Sequence, residues 1–209
     1  MSISMDELTE AASVIPILTV SSLDDAIPLA QALKAGGLRV IEITLRTEVA
    51  LAALKEMKKA EPDLIIGMGT ILQTEQIETA LEAGADFLVS PGLTRELERA
   101  FQTAHAPVLP GVATASEAMQ AASAGFDVLK FFPAEQIGGL DYLKSLRGPL
   151  PDIRFCPTGS ITRALAPQYL ALPHVVCVGG SWIANSALIE AGDWDAITAN
   201  AKAAAAMAK

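Results

Sequence analysis

A chain of 209 residues that is 51% apolar has enough material to bury a substantial core, as one large domain or two small ones. Only 19% of its residues are charged, no run of like charge occurs, and a net charge of -9 argues against a nucleic-acid backbone as partner. No apolar stretch approaches a membrane span and the opening MSISMDELTEAAS lacks an export signal, while Cys156 and Cys177 lie in apolar runs that suit buried free thiols, so a cytoplasmic protein is expected.

Residues 1–13 read as a short lead-in. From there, short apolar or β-branched runs alternate with helix-like stretches, with no linker to divide them. The predicted strands are Val14 to Val20, Leu38 to Leu45, Leu64 to Gly67, Phe87 to Ser90, Val108 to Leu109, Val128 to Phe132, Ile153 to Cys156 and Val175 to Val178. Between them, Ala26, Leu29, Ala30 and Leu33 form an apolar stripe at helical spacing, as do Ile77, Ala80 and Leu81. Thr114 and Glu117 have the spacing of a capping box, and Gly36, Gly84 and Gly125 follow helix-like stretches where a left-handed residue is wanted. AGGLRVIEI, AGADFLVS and AGFDVLKF repeat one pattern of helix end, glycine and strand, with two strand-helix units in each interval. Apolar strands alternating with helices imply a parallel sheet covered on its outer face. With the internal repeat, they predict a single (β/α)8 TIM barrel over residues 1–209 in preference to an open doubly wound sheet.

In such a barrel the chemistry sits at the C-terminal ends of the strands. The second strand reads V-I-E-I-T-L-R, and its period of two puts Val40, Glu42, Thr44 and Arg46 on one face. A carboxylate in an apolar strand is costly unless paired or used. In the sixth strand, Lys130 stands among Val128, Leu129, Phe131 and Phe132, where desolvation favours the neutral amine that imine formation requires. A structural ion pair between Glu42 and Lys130, or a lysine that only snorkels to the barrel end, is the alternative. The turns P-T-G-S at Pro157 to Ser160 and G-G-S at Gly179 to Ser181 fall after the seventh and eighth strands, the usual phosphate cradle of this architecture. His105 and His174 lie near prolines just before strands, at the opposite end, which disfavours histidine bases and histidine-held metals. No glycine-rich nucleotide fingerprint is present, so no nucleotide cofactor is expected, and Trp182 and Trp194 read as packing residues.

The run VIPILTV, AGGLRVIEITLRTE, GMGT, SPGLT, LPGVAT, KFFPAE, RFCPTG and VGGSW resembles the 2-keto-3-deoxy-6-phosphogluconate (KDPG) aldolases, class I aldolases of the Entner-Doudoroff pathway. The resemblance covers nearly the whole chain. It implies a Schiff base on Lys130 with Glu42 as general acid/base. It places Arg46 and Thr70 at the pyruvoyl carboxylate with Thr158 nearby, and counts Pro91 and Phe132 among the substrate-binding positions. Gly159, Ser160, Gly180 and Ser181 fall where the family holds phosphate. It further implies a small-molecule substrate, a phosphorylated 2-keto-3-deoxy sugar acid giving pyruvate and glyceraldehyde 3-phosphate, with no cofactor, no metal and a homotrimeric assembly. The family usually reads P-T-G-G where this chain has Ser160, and the relatives that carry an arginine near the end of the first strand are matched here by Leu18, Thr19 and Val20. A serine there adds a Cβ that holds the anion off, or a hydroxyl that binds it; weakened phosphate binding is the expectation. Other substrates compatible with these residues are 4-hydroxy-2-oxoglutarate and the galactonate epimer. A cofactor-free phosphosugar isomerase or epimerase and a non-catalytic phosphosugar-binding protein are the rivals of another class.

Overall fold

The computed structural model describes residues 3–207, and the short lead-in before the first strand contains a helix. Helix α1 (Met5–Ala11) begins at Ser4, whose hydroxyl accepts from the Glu7 N–H at 3.2 Å while the Glu7 carboxylate accepts from the Ser4 N–H at 2.7 Å. Leu8, halfway along it, is fully buried in one apolar cluster with Ile15, Val40, Phe87, Leu109 and Val128. The lead-in is therefore part of the core.

Strands and helices then alternate. The first half runs β1 (Val14–Leu18), α2 (Ala26–Ala35), β2 (Val40–Thr44), α3 (Ala50–Ala60), β3 (Ile65–Gly69), α4 (Glu75–Glu82), β4 (Phe87–Val89) and α5 (Arg95–Gln102). The second half runs β5 (Val108–Leu109), β6 (Gly111–Val112), α6 (Ala115–Ser123), β7 (Val128–Phe131), α7 (Gly139–Leu146), β8 (Arg154–Pro157), α8 (Ala166–Leu170), β9 (Val178–Gly180), α9 (Ser186–Glu190) and α10 (Trp194–Ala205). Every strand pairing is parallel.

The result is an α/β fold with a curled parallel sheet in two ladders. One runs β5-β4-β3-β2-β1-β9 and the other β6-β7-β8, where one closed ladder of eight had been expected. Pro110 supplies the reason for one break. It has no N–H to give to a ladder, so the strand predicted at Val108 to Leu109 ends there, paired with β4, and the chain beyond it, Gly111–Val112, pairs with β7 instead. The carbonyl of Pro110 still accepts from the Lys130 N–H at 2.9 Å. The last strand also departs from expectation: regular pairing covers Val178–Gly180, and the predicted start at Val175 makes only an isolated bridge to Phe155.

Side chains alternate across the strands as a two-residue period requires. Val40, Phe87, Val89, Val128, Cys156 and Cys177 pack inward, whereas Ile41, Ile43, Leu88, Leu129, Phe131 and Phe155 pack in the layer beneath the helices. The capping box at Thr114 and Glu117 forms as its spacing predicts. Gly84 and Gly125 are left-handed, each with φ +97, but Gly36 is not. Gly37 takes that role, and Gly36 is small because helix α10 crosses it: a Cβ there would lie 2.3 Å from the Cβ of Ala201.

Candidate active site

Alternation along β7 sends Leu129 and Phe131 outward under the helices, so Lys130, above Val128, turns inward. Glu42 stands in the same relation to Val40 on β2. The two side chains meet across the interior, with Lys130 Nζ donating to Glu42 Oε1 at 3.2 Å. Their side chains are only 8% and 4% exposed. The Lys130 nitrogen also lies 5.5 Å from the centroid of the Phe132 ring. Cys156 is the cross-strand partner of Lys130. Its thiol is held below the ordinary value, first by the hydrogen bond with Cys177, against the opposing effect of burial, with the charge of Lys130 adding to the lowering.

The carboxylate fits because β3 leaves space for it. Gly69 pairs with Thr44, and a Cβ on Gly69 would lie 2.0 Å from Glu42 Oε1. The next residue, Thr70, has φ +64, a left-handed conformation that is uncommon for a β-branched side chain and costs about 1–2 kcal/mol. Strain of this kind collects where geometry serves function. Thr44 is different: its hydroxyl donates to the Leu18 carbonyl at 2.8 Å and so joins β2 to β1.

Above this pair opens a cavity of about 330 Å³. Of the residues singled out from the sequence, Arg46, Phe132, Thr158, Gly159, Ser160 and Ser181 line it. Lys130 and Glu42 lie one layer deeper, since Phe132 and Thr158 follow Lys130 and Cys156 by two residues on neighbouring strands. Three predicted positions do not reach the lining. Thr70 and Pro91 follow β3 and β4, and the carbonyl of Pro91 packs where a Cβ on Gly111 would lie, 2.3 Å away. Gly180 is buried beneath Trp182, whose ring would come within 1.7 Å of a Cβ there. Gly179, the first residue of the G-G-S turn, lines it too, and Ile17, Pro133, Gln136 and Ile161 line the cavity without having been singled out. Ile17 was legible from the period of the first strand, because it shares a face with Ile15. Gln136 sits on a single 3-10 turn, Glu135–Ile137, and no periodicity marks it.

The phosphate-like turn is built from paired backbone. Thr158 accepts from the Ala134 N–H at 2.9 Å and Gly159 from the Glu135 N–H at 3.3 Å, which extends the β7-β8 pairing beyond the strands. Gly159 has φ +115 and Ser160 has φ +55, so Ser160 occupies a conformation more natural to the glycine found in the family motif. Among the described residues, no three His, Cys, Asp or Glu side chains converge in a way that would hold a metal ion.

Comparison with known proteins gives a consistent result. The family model for KDPG and KHG aldolase matches residues 5–200. The KHG/KDPG aldolase of Escherichia coli K12 is 44% identical over 206 residues, 99% of this chain and 97% of that protein. Among solved structures, the KDPG aldolase of Legionella pneumophila, with pyruvate captured as a covalent carbinolamine, superposes with a TM-score of 0.96 at 43% identity, covering 99% of this chain and 100% of that one. The Zymomonas mobilis ZM4 KDPG aldolase with 3-phosphoglycerate gives a TM-score of 0.92 at 46% identity, covering 98% and 96%. With a match of this extent, the chain belongs to the KDPG and KHG aldolase family.

Proposed function

We infer that the protein cleaves KDPG to pyruvate and glyceraldehyde 3-phosphate through an imine on Lys130. The observation that carries this reading is the Lys130 amine 3.2 Å from Glu42 in an apolar interior, directly below a cavity with an arginine on its wall. A purely structural ion pair has no need of such a cavity above it.

The chemistry follows from the contacts. Transfer of the lysine proton to Glu42 frees the amine, which attacks the C2 ketone; the carboxylic acid so formed can then protonate the departing hydroxyl as water is lost. The iminium draws electrons from the C3–C4 bond while Glu42, again a carboxylate, takes the C4 hydroxyl proton. Glyceraldehyde 3-phosphate leaves, the enamine is protonated at C3, and hydrolysis releases pyruvate and the lysine. Arg46 and Thr158 orient the keto-acid carboxylate, Arg46 with a guanidinium that matches it in two hydrogen bonds. Thr70, Pro91 and Phe132 shape the space around the reacting carbons, and Gly159, Ser160 and Ser181 take the phosphate, with Gly180 supporting that turn. The carbinolamine held by the Legionella pneumophila relative is the adduct that an amine and pyruvate form on this route.

Cleavage of 4-hydroxy-2-oxoglutarate is a second activity of the same site, supported by a family description and an Escherichia coli relative that carry both substrates in their names. The fold proposed for the working enzyme is one closed eight-stranded barrel domain. The bridge between Thr158 and Gly179 and the continuity of residues 108–112 across Pro110 support closure of the two ladders. A homotrimer is part of the same proposal: Leu72 and Met119 are more than half exposed, as apolar side chains that a neighbouring subunit would cover are. A cytoplasmic location belongs to the same proposal, supported by the burial of Cys156 and Cys177 in the apolar interior, outside any disulfide.

The test is pyruvate release by the purified protein supplied in turn with KDPG, its galactonate epimer and 4-hydroxy-2-oxoglutarate. The account requires KDPG to have the highest kcat/KM; no release from any of the three would refute it.

A further inference from the structure

One contact at the rim of the cavity belongs to neither the lysine chemistry nor the backbone cradle. The segments 134–136 and 158–160 run side by side in three rungs. Two are backbone hydrogen bonds, from Ala134 N–H to Thr158 and from Glu135 N–H to Gly159. The third is made by side chains: Gln136 Nε2 donates to Ser160 Oγ at 2.6 Å. Both residues line the cavity, beside Gly159 and Ser181. The first segment is itself anchored, because the Tyr169 hydroxyl donates to the Glu135 carboxylate.

The direction of that third bond matters. A hydroxyl has one proton and two lone pairs, and an amide nitrogen can only donate. With Gln136 filling one lone pair, the Ser160 proton is left to donate elsewhere, and the cavity is next to it. The Gln136 amide carries a second N–H besides the one given to Ser160, and Gln136 itself lines the cavity. An anion in this corner would therefore meet two side-chain donors in addition to the backbone of Gly159 and Ser160.

We propose that Gln136 is a specificity-determining residue: paired with Ser160, it forms a donor couple for the terminal phosphate of the substrate and favours phosphorylated over shorter, unphosphorylated keto acids. This rests on the function proposed above. Of the two roles open to Ser160, a Cβ that holds the anion off or a hydroxyl that binds it, the proposal takes the second, with the hydroxyl oriented by Gln136.

The test compares Gln136→Ala, Gln136→Glu, Ser160→Gly and the Gln136→Ala/Ser160→Gly double variant with the parent protein. Steady-state kinetics are measured on KDPG and 4-hydroxy-2-oxoglutarate, and binding of inorganic phosphate is followed by calorimetry. Losing a hydrogen bond to a charged acceptor corresponds to about tenfold or more in affinity. Gln136→Ala should thus raise KM for KDPG about tenfold, far more than it lowers kcat, and weaken phosphate binding in parallel. Preference for KDPG over 4-hydroxy-2-oxoglutarate should fall by a similar factor. Gln136→Glu keeps the shape but takes the serine proton and adds a negative charge, so it should be worse than alanine; a purely structural glutamine would tolerate this exchange. In the Ser160→Gly background the alanine change should cost clearly less than in the parent. Unchanged KM and phosphate affinity in Gln136→Ala, additive effects in the double variant, or Gln136→Glu equal to the parent would each overturn the proposal. A parent protein inactive on KDPG would refute the proposed function instead, and the phosphate titration would still decide whether Gln136 and Ser160 bind the anion.

Discussion

The Glu42 carboxylate occupies the place a side chain at position 69 would need, because a Cβ on Gly69 would lie 2.0 Å from Glu42 Oε1. Gly69 is held by its pairing with Thr44, and the Leu45 N–H donates to its carbonyl at 2.7 Å, so the backbone has little room to yield. Gly69→Ala should push the carboxylate off Lys130 and reduce cleavage by roughly 100-fold, the scale of a lost general acid/base. It should also cost about 1–3 kcal/mol of stability through overpacking. Kinetics and urea denaturation on the same variant check both, and near-parental cleavage would mean that the position of Glu42 is not critical.

Glu42→Gln keeps the volume and removes the proton carrier. Imine formation with pyruvate should persist at a reduced rate, while C–C cleavage falls by roughly 100-fold or more. Single-turnover measurement of the two steps separates them. Cleavage that falls no further than imine formation would remove Glu42 from the bond-breaking step and leave it a role only in forming the imine.

The legibility of this site was uneven for physical reasons. Glu42 and Lys130 stood out because a charged residue in an apolar strand violates the strongest local pattern there is, and the period of two already gave their direction. Gly69 carried no such signal: its glycine is explained only by the carboxylate of another strand. Gln136 lies on a 3-10 turn without periodicity, and its partner Ser160 is 24 residues away. The split at Pro110 was written in the sequence, since a proline cannot donate to a ladder, and the Ser4 and Glu7 capping box has the same spacing as the recognised pair at Thr114 and Glu117. What hid α1 was its brevity, not its chemistry.

Leu8 gives that helix its energetic weight. It is fully buried with Ile15, Val40 and Phe87 at the end of the interior away from the cavity. Leu8→Ala should destabilise the protein by about 2–5 kcal/mol, as large-to-small changes in a core do. Equilibrium urea unfolding measures it. A loss below about 1 kcal/mol would mean that the helix adds little to the core.

The proposed route draws its positive charge from Lys130 and Arg46 and assigns no step to a metal. Dialysis against a chelator should leave kcat/KM on KDPG unchanged. Activity lost on chelation and restored by a divalent ion would put a Lewis acid into the mechanism.

The measurement that bears most directly on the whole account is reduction with borohydride in the presence of pyruvate, followed by mass spectrometry of the peptides. An imine between Lys130 and the C2 carbon of pyruvate is reduced to a stable secondary amine, so the account predicts one pyruvate-derived adduct per chain, on Lys130, and none in Lys130→Ala. An adduct on Lys144 or another lysine, or no adduct at all with active protein, would contradict it.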